Sequence, residues 1–324
     1  MIAAGVWLDP TWRRATPLRG LEGALLERPE LRRLAGLHHH GPAGRLLGWT
    51  TTRLEHTLGV WTVTAALRPD DATLRLAALL HDVGHAPYSH ALEALGGIDH
   101  HAALRASLGG GALGTWLRRR GVDVERVAAL VDGDEPSPLR NREGWLHADH
   151  LDSFVRGAAW RGSVRVDPGD VLDGLRLDGP HLAFDARHGD DLLAAVLDEA
   201  RFQLGPVDVG ADAWLVELVG RAAALGAVDL AVLPTLCDAE LDERLRAHPS
   251  TRDEFGDVVS GRLRFASAPD DASARWRVTK RAGYLPRPRF HGPEPAGWQR
   301  RLTAAYALFE QERVVTVALA PAVR

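Results

Sequence analysis

A chain of 324 residues is long enough for one large domain or two small ones, and 45% hydrophobic with 25% charged residues is ordinary for a soluble globular protein. A formal net charge of −4 leaves no global basic surface, which argues against a general nucleic-acid binder but leaves room for a local anion pocket. The lone cysteine, Cys237, excludes an internal disulfide and fits a reducing cytoplasm. No apolar run reaches membrane-spanning length and the start has no leader pattern, so a cytoplasmic protein without a membrane partner is expected. Lysine occurs once, at Lys280, and arginine supplies the other permanent cations; this reads as codon usage and carries no functional weight.

Residues 1–20, with Trp7, Pro10, Trp12 and Pro17, read as an irregular arm. Leu21, Leu25, Leu26, Leu31 and Leu34 recur at helical spacing, and Pro29 divides them into two short helices. His38-His39-His40 reads as a solvated turn ending at Gly41-Pro42, with metal binding the alternative. Thr52 and Glu55 form a capping box for a helix running to about Leu67, before Pro69. The next helix starts near Asp71 and carries Leu74 to Leu80 into His81-Asp82. Short helices are expected from Tyr88 to Leu95, after Asp99, from Leu113 to Arg120 and from Val124 to Val131, with a polar loop from Asp132 to Asn141. Leu151, Phe154 and Val155 mark the apolar stripe of a further helix, and Asp149, Asp152 and Arg156 share another face. A hairpin turns at Asp178-Gly179-Pro180, and helical patterns follow at 189–203, 211–224, 237–247 and 250–264. Phe265 to Pro295 reads as irregular or weakly stranded, Trp298 to Gln311 as helix and Val314 to Leu319 as a final strand. The expectation is a mainly α fold.

The conspicuous stretch is His81-Asp82-Val83-Gly84-His85-Ala86-Pro87-Tyr88-Ser89-His90-Ala91-Leu92-Glu93, which follows a buried apolar run. Strongly hydrated groups placed against apolar residues cost free energy unless compensated, and a bound cation is the simplest compensation. Adjacent helical residues project about 100° apart, so His81 and Asp82 could take neighbouring positions on one ion. His56 from an earlier helix and Asp149 from a later one would complete two imidazoles and two carboxylates. That set suits Mn, Fe, Co, Ni or Zn better than Mg, and leaves positions for water and a substrate oxygen. The bland alternative is hydrogen bonding within a core.

Three blocks, Arg53-Leu54-Glu55-His56-Thr57-Leu58-Gly59-Val60, His81 to His90, and Leu146-His147-Ala148-Asp149-His150-Leu151-Asp152, resemble the HD-superfamily phosphohydrolases, most closely the deoxynucleoside triphosphate triphosphohydrolase branch. The resemblance is firm from about Glu27 to Arg156, faint to about Arg264, and absent after that. It implies an HD-domain helical core over 1–265, including the N-terminal arm and a small β-hairpin, and a C-terminal extension over 266–324 packed on that core. It implies His56, His81, Asp82 and Asp149 as ligands of one divalent metal ion, manganese among the candidates. His90 and Glu93 stand where the family keeps a catalytic His–carboxylate pair, and His100 matches a further acid, with His101 the weaker candidate. Arg53 would hold phosphate, with His85, His150 and Asp152 in the same substrate pocket.

Four positions depart from the family pattern. His150 stands where a phosphate-binding basic residue is typical, Ser153 where a deoxyribose-packing tyrosine is, and Gly157 where an acid is. Arg201-Phe202-Gln203 lacks the tyrosine of the matching arginine motif. The expected function is hydrolysis of a phosphoester in a nucleotide, with a (deoxy)nucleoside triphosphate one substrate candidate. A phosphodiesterase or nuclease, a regulatory nucleotide-binding protein with an altered site, and a di-iron oxygenase are the alternatives. Relatives often assemble, which leaves a homo-oligomer open.

Overall fold

The computed structural model describes residues 2–3, 5–163 and 167–322. At the N-terminus, β1 (Ile2–Ala3), β2 (Val6–Asp9) and β3 (Arg14–Pro17) form an antiparallel sheet where an irregular arm was expected. The turn is made by Asp9, whose Oδ1 accepts from the backbone of Thr11 and Trp12 at 2.9 Å, with Arg13 at φ +50°. α1 (Glu22–Leu26) and α2 (Pro29–Arg33) are the two short helices divided at Pro29.

Residues 38–40 are not a solvated turn. His39 N–H donates to Thr51 O at 3.0 Å and Arg53 N–H to Leu37 O at 2.9 Å, so the segment runs against the start of the next long helix. Gly41 and Pro42 then open α3 (Gly41–Leu46). The His39 residue is 6% exposed and the His40 side chain 4%.

The centre of the fold is α4 (Arg53–Leu67), capped by the Thr52–Glu55 box, and α5 (Ala72–Leu80), capped by Asp71. Trp61 on α4 is fully buried and donates to Glu22, which also holds Arg75 of α5 through a buried pair at 2.6 Å. α6 (His100–Gly109), α7 (Ala112–Arg118) and α8 (Val124–Asp132) cover one side. α9 (Ala148–Arg161) crosses α4, and Gly59 is the reason it crosses so closely. A Cβ there would lie 2.0 Å from Asp152 Oδ1. Gly84 has the same role after the His81-Asp82 doublet, where a Cβ would lie 1.9 Å from His100 O.

α10 (Pro168–Gly174) leads into the hairpin β4 (Arg176–Asp178) and β5 (His181–Ala183). α11 (Gly189–Gln203) and α12 (Pro206–Ala224) follow, then α13 (Asp238–Ala247) and α14 (Arg252–Val259). A second apolar cluster centres on α12, with Trp214, Leu215, Leu218, Phe255, Phe265 and Val317. The helix expected at 250–264 ends five residues early, and β6 (Leu263–Ser267) replaces its tail. β7 (Trp276–Lys280) lies inside the stretch expected to be irregular. After α15 (Trp298–Ala307), β8 (Arg313–Pro321) pairs antiparallel with both strands in the order β6-β8-β7, with Lys280 opposite Arg313. The Tyr88–Leu95 helix is only a 3-10 turn over Ala91–Leu95, because Tyr88 and Ser89 take φ of +59° and +62°. Asp238 Oδ1 accepts from Tyr88 N–H at 2.7 Å and Asp242 from its hydroxyl at 2.6 Å, which holds that bend. Among the described residues no helix is long and apolar enough to cross a membrane.

Candidate active site

The capped start of α4 and the end of α5 bring His56 and His81 together, and the first turn of α9 brings Asp149 to them. Ligand atoms of these three lie within 4.8 Å of one another. His56 Nε2 is 3.4 Å from His81 Nε2, 3.3 Å from Asp149 Oδ1 and 3.6 Å from Asp82 Oδ2. Asp82 also approaches His81 Nε2 through Oδ1, at 3.4 Å. Three of the four expected ligands, His56, His81 and Asp149, therefore cluster with Asp82 beside them, and a donor set of two imidazoles and two carboxylates fits a divalent transition metal.

The groups behind them fit it too. His81 Nδ1 donates to Ala78 O at 2.8 Å, which leaves Nε2 directed inward. His56 Nδ1 faces Asp152 Oδ2 at 2.8 Å. Burial by itself would lower the His56 pKa, but the hydrogen bonds to Asp149 and Asp152 push it up to about 9. A proton on this imidazole balances acidic charge that a cation would otherwise balance. Burial would raise Asp82 and Asp149, but His81 and Arg53 hold the first well below the usual carboxylate range, and His56 and His81 the second.

Asp152, expected at substrate, lies instead behind the ligands. Its side chain is fully buried and accepts from His56, from Trp12 Nε1 at 2.7 Å and from Arg156 at 2.8 and 3.0 Å. Its place four residues before Arg156 on α9, with α4 against it at Gly59, turns it toward the core and away from the pocket.

A second group lies beside the first. Ligand atoms of His85, His90, Glu93 and His100 also fall within 4.8 Å of one another. Glu93 Oε1 accepts from His100 Nδ1 at 2.6 Å and from His90 Nδ1 at 3.2 Å. Burial would raise Glu93, but these two bonds hold it well below the usual range. The His85 and His100 rings stack at 4.1 Å, and His85 Nε2 reaches Asp82 Oδ1 at 3.2 Å, linking the two groups. His101 faces away, toward Asp132 at 3.3 Å.

Both groups reach one pocket of about 250 Å³, through Asp82 and Asp149 from the first and His85, His90 and His100 from the second. Arg53 lines it, fixed by Ser89 Oγ at 2.8 Å and Asp82 Oδ2 at 3.0 Å. His150 lines it as well, but burial, opposed by Asp149 and reinforced by Arg140, pushes its imidazole down to about 4. A neutral His150 supplies no positive charge near pH 7. Arg140 supplies it, 3.7 Å from Asp149, and sequence reasoning missed it because it sits in an unpatterned loop. Ser153 accepts or donates at His39 Nε2, 3.0 Å away. The space over Gly157 is taken by His40, whose Nε2 lies 2.8 Å from where a Cβ would stand. Sequence reasoning also missed Tyr284, Asp208, Asp212 and Lys280 of the pocket wall.

Residues 53–134, the α4-to-α8 segment carrying His56, His81 and Asp82, match the model of the HD domain family. A metal-dependent phosphohydrolase of Cordyceps militaris is 34% identical over 166 residues, 47% of this chain and 45% of the relative. A deoxyguanosinetriphosphate triphosphohydrolase-like protein of Azorhizobium caulinodans is 28% identical over 251 residues, 62% of this chain and 61% of the relative. The similarity is thus to the HD phosphohydrolases of the dGTPase-like branch, at low identity. The fold is shared with a phosphohydrolase of Bacteroides thetaiotaomicron, at a TM-score of 0.65 and 18% identity over 82% of this chain and 80% of that one. The chain spans between 33% and 61% of the length of the curated relatives it matches.

Proposed function

We propose that this protein is a metal-dependent phosphohydrolase that cleaves a phosphoester of a nucleotide. The observation that carries the reading is the convergence of two histidine–carboxylate groups and two arginines on one pocket. His56, His81, Asp82 and Asp149 would hold one divalent ion. A metal held there would supply Lewis-acid polarisation of a phosphoryl oxygen and would lower the pKa of water. Arg53 binds phosphate oxygens from a guanidinium already fixed by Ser89, and Arg140, in the same pocket lining, adds charge. His90 and His100 hold and move the proton, and Glu93, bonded to both, orients them. His85 and His150 shape the floor as neutral imidazoles. Nucleoside triphosphates fit the relatives' names, and the C-terminal segment after Phe265 is read as part of the same folded unit.

The test is bound metal and phosphate release from wild type and Asp82→Ala across nucleotides and simple phosphoesters. Loss of both in the variant is expected, and undiminished release would end the reading. A metal-to-protein ratio near two would instead assign His85, His90, Glu93 and His100 to a second ion, and would favour a two-metal chemistry.

A further inference from the structure

The pocket continues past the hydrolytic groups to an end of opposite charge that the proposed reaction does not use. Its wall comes from the first turns of α12, where the resemblance is faint, and from the C-terminal sheet, beyond where it ends. Asp208 and Asp212 project there from α12, one helical turn apart, and Lys280 from the end of β7. Lys280 Nζ is 3.3 Å from Asp208 Oδ2 and 3.8 Å from Asp212 Oδ2. Among the described residues no other donor reaches either carboxylate, so one ammonium serves two acids. The neighbouring Glu199 is a third acid, held by Arg161 and Gln203, and raises Asp208 further. Burial and then mutual repulsion raise Asp208 well above the usual range, and burial pushes Asp212 up to about 6. Both acids are short of positive partners.

A second observation lies in the wall of the same pocket, where His40 Nε2 stands over Gly157 and 4.0 Å from Glu199 Oε2. His40 lines this pocket, its side chain is 4% exposed, and neither ring nitrogen has a hydrogen-bond partner. Burial, reinforced by Arg161 and Arg53, holds this imidazole neutral. A buried imidazole with a free donor and a free acceptor costs stability unless something else satisfies it. Phe202 and Tyr284 also line the pocket, the Tyr284 ring tilted 42° against His150 at 4.3 Å between centroids and 46% exposed.

We propose that this end reads the organic group of the substrate, which is a planar nucleobase carrying exocyclic N–H donors, through Asp208, Asp212 and His40. The inference rests on the hydrolase reading only for the orientation of the substrate. N–H donors favour the ionised form of these acids and an ionised carboxylate repels phosphate, so the phosphate goes to Arg53 and Arg140 and the amino-bearing group to the acids. The aromatic walls suit a flat ring. An alkyl ammonium would satisfy the same carboxylates without using the aromatic walls.

Isothermal titration of the metal-loaded full chain tests this with matched pairs: guanosine against inosine monophosphate, cytidine against uridine monophosphate, and 2-aminoethyl phosphate against ethyl phosphate. The amino-bearing nucleotide of each pair is expected to bind at least about tenfold more tightly, because its partner leaves buried acceptors unpaired. In Asp208→Asn/Asp212→Asn that ratio is expected to fall at least about threefold, with far-UV circular dichroism confirming the fold. The wild-type pairs decide the matter even if this variant does not fold. Equal binding within both nucleotide pairs, or no binding of any member, overturns the proposal. Discrimination confined to the 2-aminoethyl pair also overturns it, in favour of an alkyl ammonium. Discrimination without any phosphate release upholds this reading and ends the hydrolase one, and phosphate release without discrimination does the reverse.

Discussion

Replacing Asp152 by asparagine should weaken metal binding without any change in the ligands themselves. All the groups facing this carboxylate are N–H donors: His56 and the Arg156 Nε–H at Oδ2, Trp12 and the Arg156 terminal nitrogen at Oδ1. An amide of the same shape must turn its NH2 toward one of these pairs. Turned toward His56, it forces the imidazole proton onto Nε2, the atom a metal would take. Turned toward Trp12, it sets N–H against N–H in a site with no exposure. Partners behind metal ligands typically contribute about 10–100-fold in affinity, or roughly 1.4–2.7 kcal/mol. Asp152→Asn is expected to lose that much in a chelator-competition titration of the divalent ion, with metal content read by mass spectrometry. An affinity within about twofold of wild type, in a variant of normal helical content, would refute the claim that Asp152 orients His56. Asp152→Ala should be worse in a different way, since it leaves Arg156 buried with Asp9 as its remaining acid, and breaking such a pair costs about 3–5 kcal/mol.

Gly59→Ala should destabilise the fold by about 1–3 kcal/mol in urea unfolding, since its methyl would fall 2.0 Å from Asp152 Oδ1 and push α9 away from α4. A neutral result would mean that the two helices separate without cost. Glu93→Gln should retain one bound metal ion and lose most turnover; loss of metal instead would place Glu93 among ligands. The Asp212 pKa is raised from near 4 to about 6, so its contribution to stability is full below pH 4 and fades as pH rises through 6. The melting temperature of Asp212→Asn relative to wild type should therefore climb between pH 4 and 7, and a flat difference would contradict it. Arg140→Met should raise KM for a nucleotide more than it lowers kcat, because Arg140 faces the pocket from a loop outside both histidine groups; an unchanged KM would count against phosphate contact.

The amino-acid sequence by itself determined the α4–α5 core and brought out the residues proposed as ligands. Capping at Thr52 and Asp71 and the helical spacing of Leu74 to Leu80 are local signals, each satisfied within a few residues. His56, His81 and Asp82 follow from those helices, and Asp149 from the apolar stripe of α9. Only the tertiary structure decided what Asp152 and His40 do. A helical face says which residues point together, not whether that face meets water or another helix. The arm at residues 1–20 was misread for a similar reason: its pairing depends on an Asx turn and on Trp12 reaching Asp152, 140 residues away. Arg140, Lys280 and Tyr284 had no periodic or motif signal at all. They reach the pocket because the polar loop before α9 and the pairing of β7 with β8 carry them there, and such long-range placement is set by packing rather than by neighbours in sequence.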